Sequence, residues 1–395
     1  MSPALIQDPM PLAAFLSAVL GFVFWLSTFP LLERVFKFLP PVIWAYFVPM
    51  LSTTLGIIPP ESPVYDWMST YLLPFALFLL MITVDIRAIL RLGPMALVMM
   101  LAGTVGIVIG GPIAFGLLGG FFADPEAWKG FASLSGSWIG GTANLVAIQE
   151  SVGASASTLA PLLVVDVVVG YGWMGVLIFL SAYQQRFDRW VGADASHVQE
   201  LNRRMASLEQ ERTPAEVGDY AFIVGIALAA AVASRLTGNL LPELGSVISS
   251  GTWAVLIVVT VGLALSFTPL QNLERKGASK IGYFALYLLL TSIGAKADLS
   301  VVLDVPMYLV TGVVWIAIHI LVLFAAARYF RAPLFFVATG SMANVGGAAS
   351  APIVAGVYLP AMAPVGLLMG VAGYILGIYA ALGCSWLIGQ VALVL

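Results

Sequence analysis

Apolar residues occur along this chain in long blocks of the size a bilayer span needs, roughly 20 residues, separated by brief polar stretches. Blocks lie near 11–29, 40–57, 68–84, 93–119, 130–150 and 157–182. After a polar interval come blocks near 220–237, 251–268, 279–296, 303–327, 333–357 and 364–393. The two sets of six correspond in detail. Phe75-Ala76-Leu77-Phe78-Leu79-Leu80 running to Asp85 resembles Phe284-Ala285-Leu286-Tyr287-Leu288-Leu289 running to Asp298, and Gly170-Tyr171 is matched by Gly373-Tyr374. The pattern reads as an internal duplication.

One block in each set is interrupted by small and polar residues. The first interruption is Ser135-Gly136-Ser137-Trp138-Ile139-Gly140-Gly141-Thr142-Ala143-Asn144. The second is Gly340-Ser341-Met342-Ala343-Asn344-Val345-Gly346-Gly347-Ala348-Ala349-Ser350. Paired broken segments at corresponding places in two halves point to a transporter's binding site.

Composition fixes the solvent. Hydrophobic residues make up 61% of the chain and charged residues 9%, with a mean hydropathy of +1.00, values that describe a polytopic membrane protein. The formal net charge of -3 and the scattering of the 17 Lys and Arg through loops give no basic face for nucleic acid. A lone cysteine, Cys384, excludes an internal disulfide and a Cys-based metal site. No Lys or Arg precedes Arg34, so 11–29 reads as a retained span and not as a signal peptide.

Charge also orients the chain, because short cytoplasmic loops carry the excess of Lys and Arg. If all twelve blocks cross, eleven of the seventeen basic residues lie inside. If the two glycine-broken blocks are re-entrant hairpins that return to the side they entered from, ten segments cross, and only Lys129, Arg235 and Lys296 lie outside, against fourteen inside. The hairpin arrangement therefore fits better. The fold class expected is all-α, with two inverted repeats of five transmembrane helices, each carrying a glycine-rich re-entrant hairpin or broken helix. The first repeat covers 1–182 with its hairpin at 130–150, and the second covers 219–395 with its hairpin at 333–357. Between them, 183–218 forms a cytoplasmic linker. Both termini face outward from a cell membrane, taken as a bacterial inner membrane.

The hairpin tips supply the candidate chemistry. Gly140, Gly141, Gly346 and Gly347 permit unusual backbone angles and let a ligand approach closely, while Ser135, Ser137, Thr142, Ser341 and Ser350 add neutral hydrogen-bonding groups. These nine form the expected substrate site. Asp166, in Leu162-Leu163-Val164-Val165-Asp166-Val167-Val168-Val169, falls roughly 14 Å into its span at about 1.5 Å per residue, near the middle of a roughly 30 Å core. A carboxylate there is costly and marks a functional site. With Asn144 and Asn344 it forms the expected Na⁺ ligand set. The repeat alignment sets Met369 opposite Asp166, so a single ion site is expected.

Other polar positions carry less. Asp85 and Asp298 end corresponding spans and read as caps or interfacial anchors, and Asp304, two before Pro306, reads as a helix start. His319 is the only intramembrane histidine and reads as a polar packing contact ahead of a proton relay. Glu150 reads as a solvated loop end. In the linker, Val198, Leu201, Met205 and Leu208 recur at helical spacing, with Glu200 and Arg204 as an i,i+4 pair, which predicts an amphipathic helix.

The pair Gly-Gly-Thr-Ala-Asn and Met-Ala-Asn-Val-Gly-Gly, in a chain of this length, resembles the membrane family designated domain of unknown function 819, over essentially the whole chain. More remotely the layout resembles sodium/glutamate symporters, 2-hydroxycarboxylate transporters and the cation/proton antiporter and bile-acid symporter group. The resemblance implies secondary active transport with an elevator-like movement of a core domain. This chain differs in having no Arg or Lys in either hairpin.

The expected function is Na⁺-coupled symport of a small organic solute bearing a carboxylate, an amino acid or a monocarboxylate. The alternative is a proton-coupled symporter or a cation/proton antiporter using Asp166, with an intramembrane enzyme or a channel ranked below both. No enzymatic role is expected, because no His-Glu-x-x-His pair exists and His319 has no motif-level nucleophile beside it. The expected partners are a small-molecule substrate and the lipid bilayer, with a homodimer as one assembly option. No cofactor is expected beyond Na⁺ as coupling ion.

The charge count makes a topological prediction. In intact cells a cysteine placed at Ser196 should be shielded from an impermeant thiol reagent and one at Ser2 should be labelled; external labelling of position 196 would reverse the orientation.

Overall fold

Inside a bilayer every backbone N–H and C=O must be satisfied within the protein, so apolar blocks of this length fold as helices. The computed structural model describes residues 4–38, 41–193, 214–243, 249–296, 305–359 and 362–395, and contains helices and no strand among them. The first half comprises α1 (Pro9–Leu26), α2 (Pro41–Thr54), α3 (Pro63–Ile82), α4 (Pro94–Leu118), α5 (Ala127–Gly140), α6 (Thr142–Val152) and α7 (Ala156–Leu180). The second comprises α8 (Val217–Gly238), α9 (Ser250–Leu265), α10 (Ala278–Ala295), α11 (Val305–Phe330), α12 (Leu334–Val345), α13 (Gly347–Tyr358) and α14 (Ala363–Ala392).

Eight of the described helices are long and apolar enough to cross a membrane, and α9 becomes a ninth when joined to the following turn Pro269–Lys276, from which it bends by 96°. The remaining expected crossing, 40–57, is shorter than the sequence suggests. α2 has 14 residues and contains Pro49, and at about 1.5 Å per residue it is roughly 21 Å long. The amphipathic linker helix, Asp298 and Asp304 lie outside the described residues.

Both glycine-rich blocks are broken helices. α5 stops at Gly140 and α6 starts at Thr142; α12 stops at Val345 and α13 starts at Gly347. The first break reverses the chain, for a β-carbon on Gly136 would lie 2.6 Å from the Asn144 carbonyl oxygen and 3.0 Å from the Ile148 side chain. Residues 136 and 148 would be far apart in one continuous helix. α13 likewise packs on α12.

The buried apolar side chains separate into two clusters. One joins α4, α5, α7, α11, α12, α13 and α14 around Phe131, Trp138, Trp315 and Phe335. The other joins α1, α2, α3, α8, α9 and α10, and takes in Leu145, Val146 and Ala147 of α6, Ala156, Leu159 and Ala160 of α7 and Ile378 of α14. Small residues set the closest helix approaches, as they do in membranes: a β-carbon on Gly294 of α10 would lie 2.1 Å from the Tyr46 carbonyl of α2. Side-chain hydrogen bonds from the second set of helices to α14 include Thr260 with Tyr379 (2.8 Å) and Tyr283 to Tyr374 (2.8 Å), and Tyr46 of α2 donates to the Ala156 carbonyl at the start of α7 (3.3 Å).

Candidate functional site

The tips of the two broken pairs face each other. Gly141 has φ +77° and ψ −174°, a region open essentially to glycine alone, and Gly347 has φ +60°. A β-carbon at Gly347 would lie 3.8 Å from the Gly141 Cα, and one at Gly141 would lie 3.2 Å from the Tyr374 ring. The tips thus meet against α14. They open into a cavity of about 520 Å³, within the size of small-molecule sites.

The first pair contributes Ser137, Gly141 and Thr142 to its wall, and the second contributes Gly346, Gly347 and Ser350. Asp166 and Tyr171 enter from α7, Tyr283 and Tyr287 from α10, Tyr374 from α14 and Phe24 from α1. Among the described residues that line it, Asp166 is the one carboxylate, and no Lys, Arg or His accompanies it.

Neither helix that starts at the cavity has a capping bond from its N-cap residue, α6 beginning after Gly141 and α13 after Gly346, and the Tyr374 hydroxyl meets the Ala348 amide in the first turn of α13. The first amides of a helix have no partner within it and carry partial positive charge. Two such ends therefore face one space. Asp166 lies in the same wall: its Oδ2 accepts from the Ser137 hydroxyl at 2.8 Å and its Oδ1 from the Trp138 indole N–H at 2.9 Å. Those two donors fix the carboxylate's orientation.

Of the nine expected substrate residues, Ser137, Gly141, Thr142, Gly346, Gly347 and Ser350 line the cavity, while Ser135, Gly140 and Ser341 do not. Ser135 donates to the Ala132 carbonyl within its own helix at 2.6 Å. Gly140 is where α5 crosses α14, since a β-carbon on it would lie 2.6 Å from the Gly373 carbonyl. Ser341 is buried between His319 Nε2 and the Trp173 indole N–H, each at 2.8 Å. The His319 Nδ1 faces the Gly103 carbonyl at 3.0 Å. A carbonyl only accepts, so Nδ1 carries the proton, and Nε2 accepts from Ser341. His319 is thereby held as a packing contact tying α11 to α4 and α12.

The three expected ion ligands are not brought together. Asp166 lies in the cavity, whereas neither asparagine does. Asn344 is bonded through both its amide and its oxygen on the far side of α12: the amide donates to the Met100 carbonyl (3.0 Å) and the Gly340 carbonyl (2.9 Å), and the oxygen accepts from Thr104 (2.8 Å). Asn144 points at α14, where its amide donates to the Tyr374 carbonyl at 3.3 Å. Its Oδ1 is buried with no hydrogen-bond partner among the described residues. Asp85 caps the short helix that follows it, accepting from the Ala88 amide at 2.9 Å.

Sequence reasoning missed the tyrosines and Trp138 as site residues. Tyr171 and Tyr374 belong to the matched Gly-Tyr pairs, which is a usable signal; Tyr283 and Tyr287 sit one helical turn apart in an apolar block with no such mark. A second cavity of about 460 Å³ shares Tyr283, Ala348, Leu367 and Tyr374 with the first and is lined beyond them by Asp85, Gln271, Glu274 and Arg275.

An all-helical, multi-pass membrane protein with a cavity at the meeting point of two broken helices is the class defined by this fold. The chain belongs to the family described as a protein of unknown function, DUF819, whose model matches residues 14–391. It is similar to the uncharacterized membrane protein YjcL of Bacillus subtilis (strain 168), with 28% identity over 377 residues that cover 91% of this chain and 93% of that one.

The two kinds of polar residue should separate by mutation. Asn344→Ala removes three buried bonds and should cost about 1–3 kcal/mol or more, since buried partners are left unsatisfied, seen as a lower melting temperature of the purified protein. Ser350→Ala, which faces the cavity, should leave that temperature unchanged.

Proposed function

We propose that this protein is a secondary active transporter that carries a small carboxylate-bearing organic solute across the membrane together with Na⁺. The observation that carries the reading is the meeting of two broken helix pairs, one from each half of the chain, at a single cavity. Irregular backbone at membrane depth persists where it lines a cavity or is buried in protein, and discontinuous helices around a central site are the working parts of secondary transporters. The starts of α6 and α13 suit a carboxylate. No enzymatic step is assigned to the site.

The two halves are read as inverted repeats, with the basic loops on the cytoplasmic side and both termini outside. The apolar cluster built on α4, α5, α7 and α11–α14 is read as the moving core, and the other as the scaffold. Sliding of one against the other would carry the cavity between the two membrane faces, an elevator-like exchange.

For the coupling ion, Asn344 is the weaker ligand, since its amide and its oxygen are both engaged within the protein. It falls on Asn144, whose buried Oδ1 is free, and on the carbonyl ends of α5 and α12. There the Ile139 and Ala343 oxygens lie 2.6 and 3.3 Å from the place a β-carbon on Gly373 would take. Helix ends with free carbonyls coordinate Na⁺ in broken-helix transporters. The competing reading, a proton-coupled symporter or cation/proton antiporter, is favoured by the presence of Asp166 as the one carboxylate among the described residues of the cavity wall.

Proteoliposomes test the proposal. An inward Na⁺ gradient should drive accumulation of at least one labelled amino acid or organic acid from a mixed pool; accumulation driven only by a pH gradient would favour the competing reading. Gly141→Val and Gly347→Val should each lower that uptake by roughly ten-fold or more, because a side chain at these backbone angles costs on the order of 1–3 kcal/mol and intrudes on the site. Normal uptake by both variants would reduce the glycine tips to packing devices.

A further inference from the structure

We infer that the solute carries a cationic amine as well as a carboxylate, and that Asp166 is the partner of that amine. The inference rests on the transport reading above and specifies its substrate as a zwitterion.

A carboxylate alone is badly matched to this cavity. Among the described residues the only formal charge in its wall is the negative one on Asp166, so a simple monocarboxylate would enter against like-charge repulsion in a low-dielectric space. The partial charges at the starts of α6 and α13 favour an anion, but they leave Asp166 uncompensated. A solute with an ammonium group resolves both demands. Its carboxylate meets the helix starts while its amine meets Asp166, and the occupied cavity carries one net negative charge instead of two.

The surroundings of Asp166 suit an organic ammonium better than a bare metal ion. A carboxylate has about four acceptor positions; the Ser137 hydroxyl and the Trp138 N–H take one on each oxygen. The remaining positions are left for donors arriving from the cavity. The Trp138 N–H is a donor and cannot ligate a cation, and the space is wide and aromatic, unlike the close shell of oxygens a small hard cation prefers. Opposite stands a wall of rings, with Tyr287 stacked on Phe24 (centroids 5.3 Å apart) and on Tyr283 (5.8 Å). Aromatic rings attract ammonium groups. Asp166 and Asn144 thus take separate cations: the solute's amine in the cavity, and the coupling ion at the crossing of α5 with α14.

The test compares solutes that differ only in the amine, using purified wild-type protein in Na⁺ and calorimetric titration of each. The pairs are L-alanine and propanoate, L-valine and isovalerate, L-phenylalanine and hydrocinnamate, and glycine betaine and tert-butylacetate, with isobutylamine as the amine-only control. At least one zwitterion should bind, and its deaminated partner should bind roughly ten-fold more weakly or worse, since a site built around a polar partner rejects the analogue that lacks it. Asp166→Asn should shrink that ratio to near unity, and Asp166→Glu should restore part of it.

Equal binding of a zwitterion and its deaminated partner by the wild type would overturn the amine assignment and leave carboxylate transport standing. Isobutylamine binding as tightly as L-valine would overturn the zwitterion and the carboxylate docking together. No binding by any member of the set would overturn both the inference and the carboxylate reading beneath it. The wild-type comparison decides the matter even if the Asp166 variants do not fold.

Discussion

A helix broken in an apolar environment exposes backbone amides and carbonyls that water cannot satisfy, and each unsatisfied group costs several kcal/mol in hydrocarbon. This chain makes that break twice, at Gly141 and at Gly346–Gly347, and the rest of the architecture accommodates it. The broken ends meet, so the exposed groups share one enclosed space. α14 runs behind them and approaches closely through Gly373 and Gly377, positions where a β-carbon would collide with the Ile139 carbonyl or the Asn144 side chain. Bulkier residues there would push the tips away from α14. The amide-rich starts of α6 and α13 then lie at the cavity, while the carbonyl ends of α5 and α12 lie toward α14. A single pair of breaks thereby yields an anion-attracting end and a cation-attracting end.

The division into two apolar clusters gives this site its mechanical setting. Within each cluster large side chains interlock, Trp138 against Trp315 with centroids 5.0 Å apart being one instance. Across the boundary the hydrogen bonds join mostly hydroxyls, and such bonds are modest in net strength, about 0.5–1.5 kcal/mol each. The Tyr283 to Tyr374 bond stands between the two cavities and links α10 to α14. A boundary of this kind tolerates relative movement better than the interior of either cluster does.

Much of this was legible in the sequence, for physical reasons. Apolar block length reports bilayer spans directly, and glycine with small polar residues inside such a block reports a break, as where the chain divides into α5 and α6 and into α12 and α13. Asp166 was legible because a carboxylate among aliphatics has so few bland explanations. The small polar residues of the motifs were not separable from one another. Ser137 and Ser341 look alike as letters, yet one faces the cavity and the other is consumed by His319 and Trp173. The same holds for Asn144 and Asn344, whose difference lies in which helix packs against them: α4 supplies a hydroxyl to Asn344, while α14 offers Asn144 a backbone carbonyl and leaves its oxygen free. The aromatic wall was hidden because tyrosine in an apolar helix is as common a packing residue as a ligand contact. Only the packing of α7, α10 and α14 around the tips selects these four.

The central claim is that the two broken pairs meet at one site. It is tested most directly by placing cysteines at Thr142 and Ala348 in a Cys384→Ala background and treating the membrane-embedded protein with a short bifunctional thiol reagent. The account predicts an intramolecular crosslink between the two halves, detected as a joined product after cleavage of the chain within the linker. Failure to crosslink, while each single-cysteine protein reacts with a monofunctional reagent of the same chemistry, would contradict it.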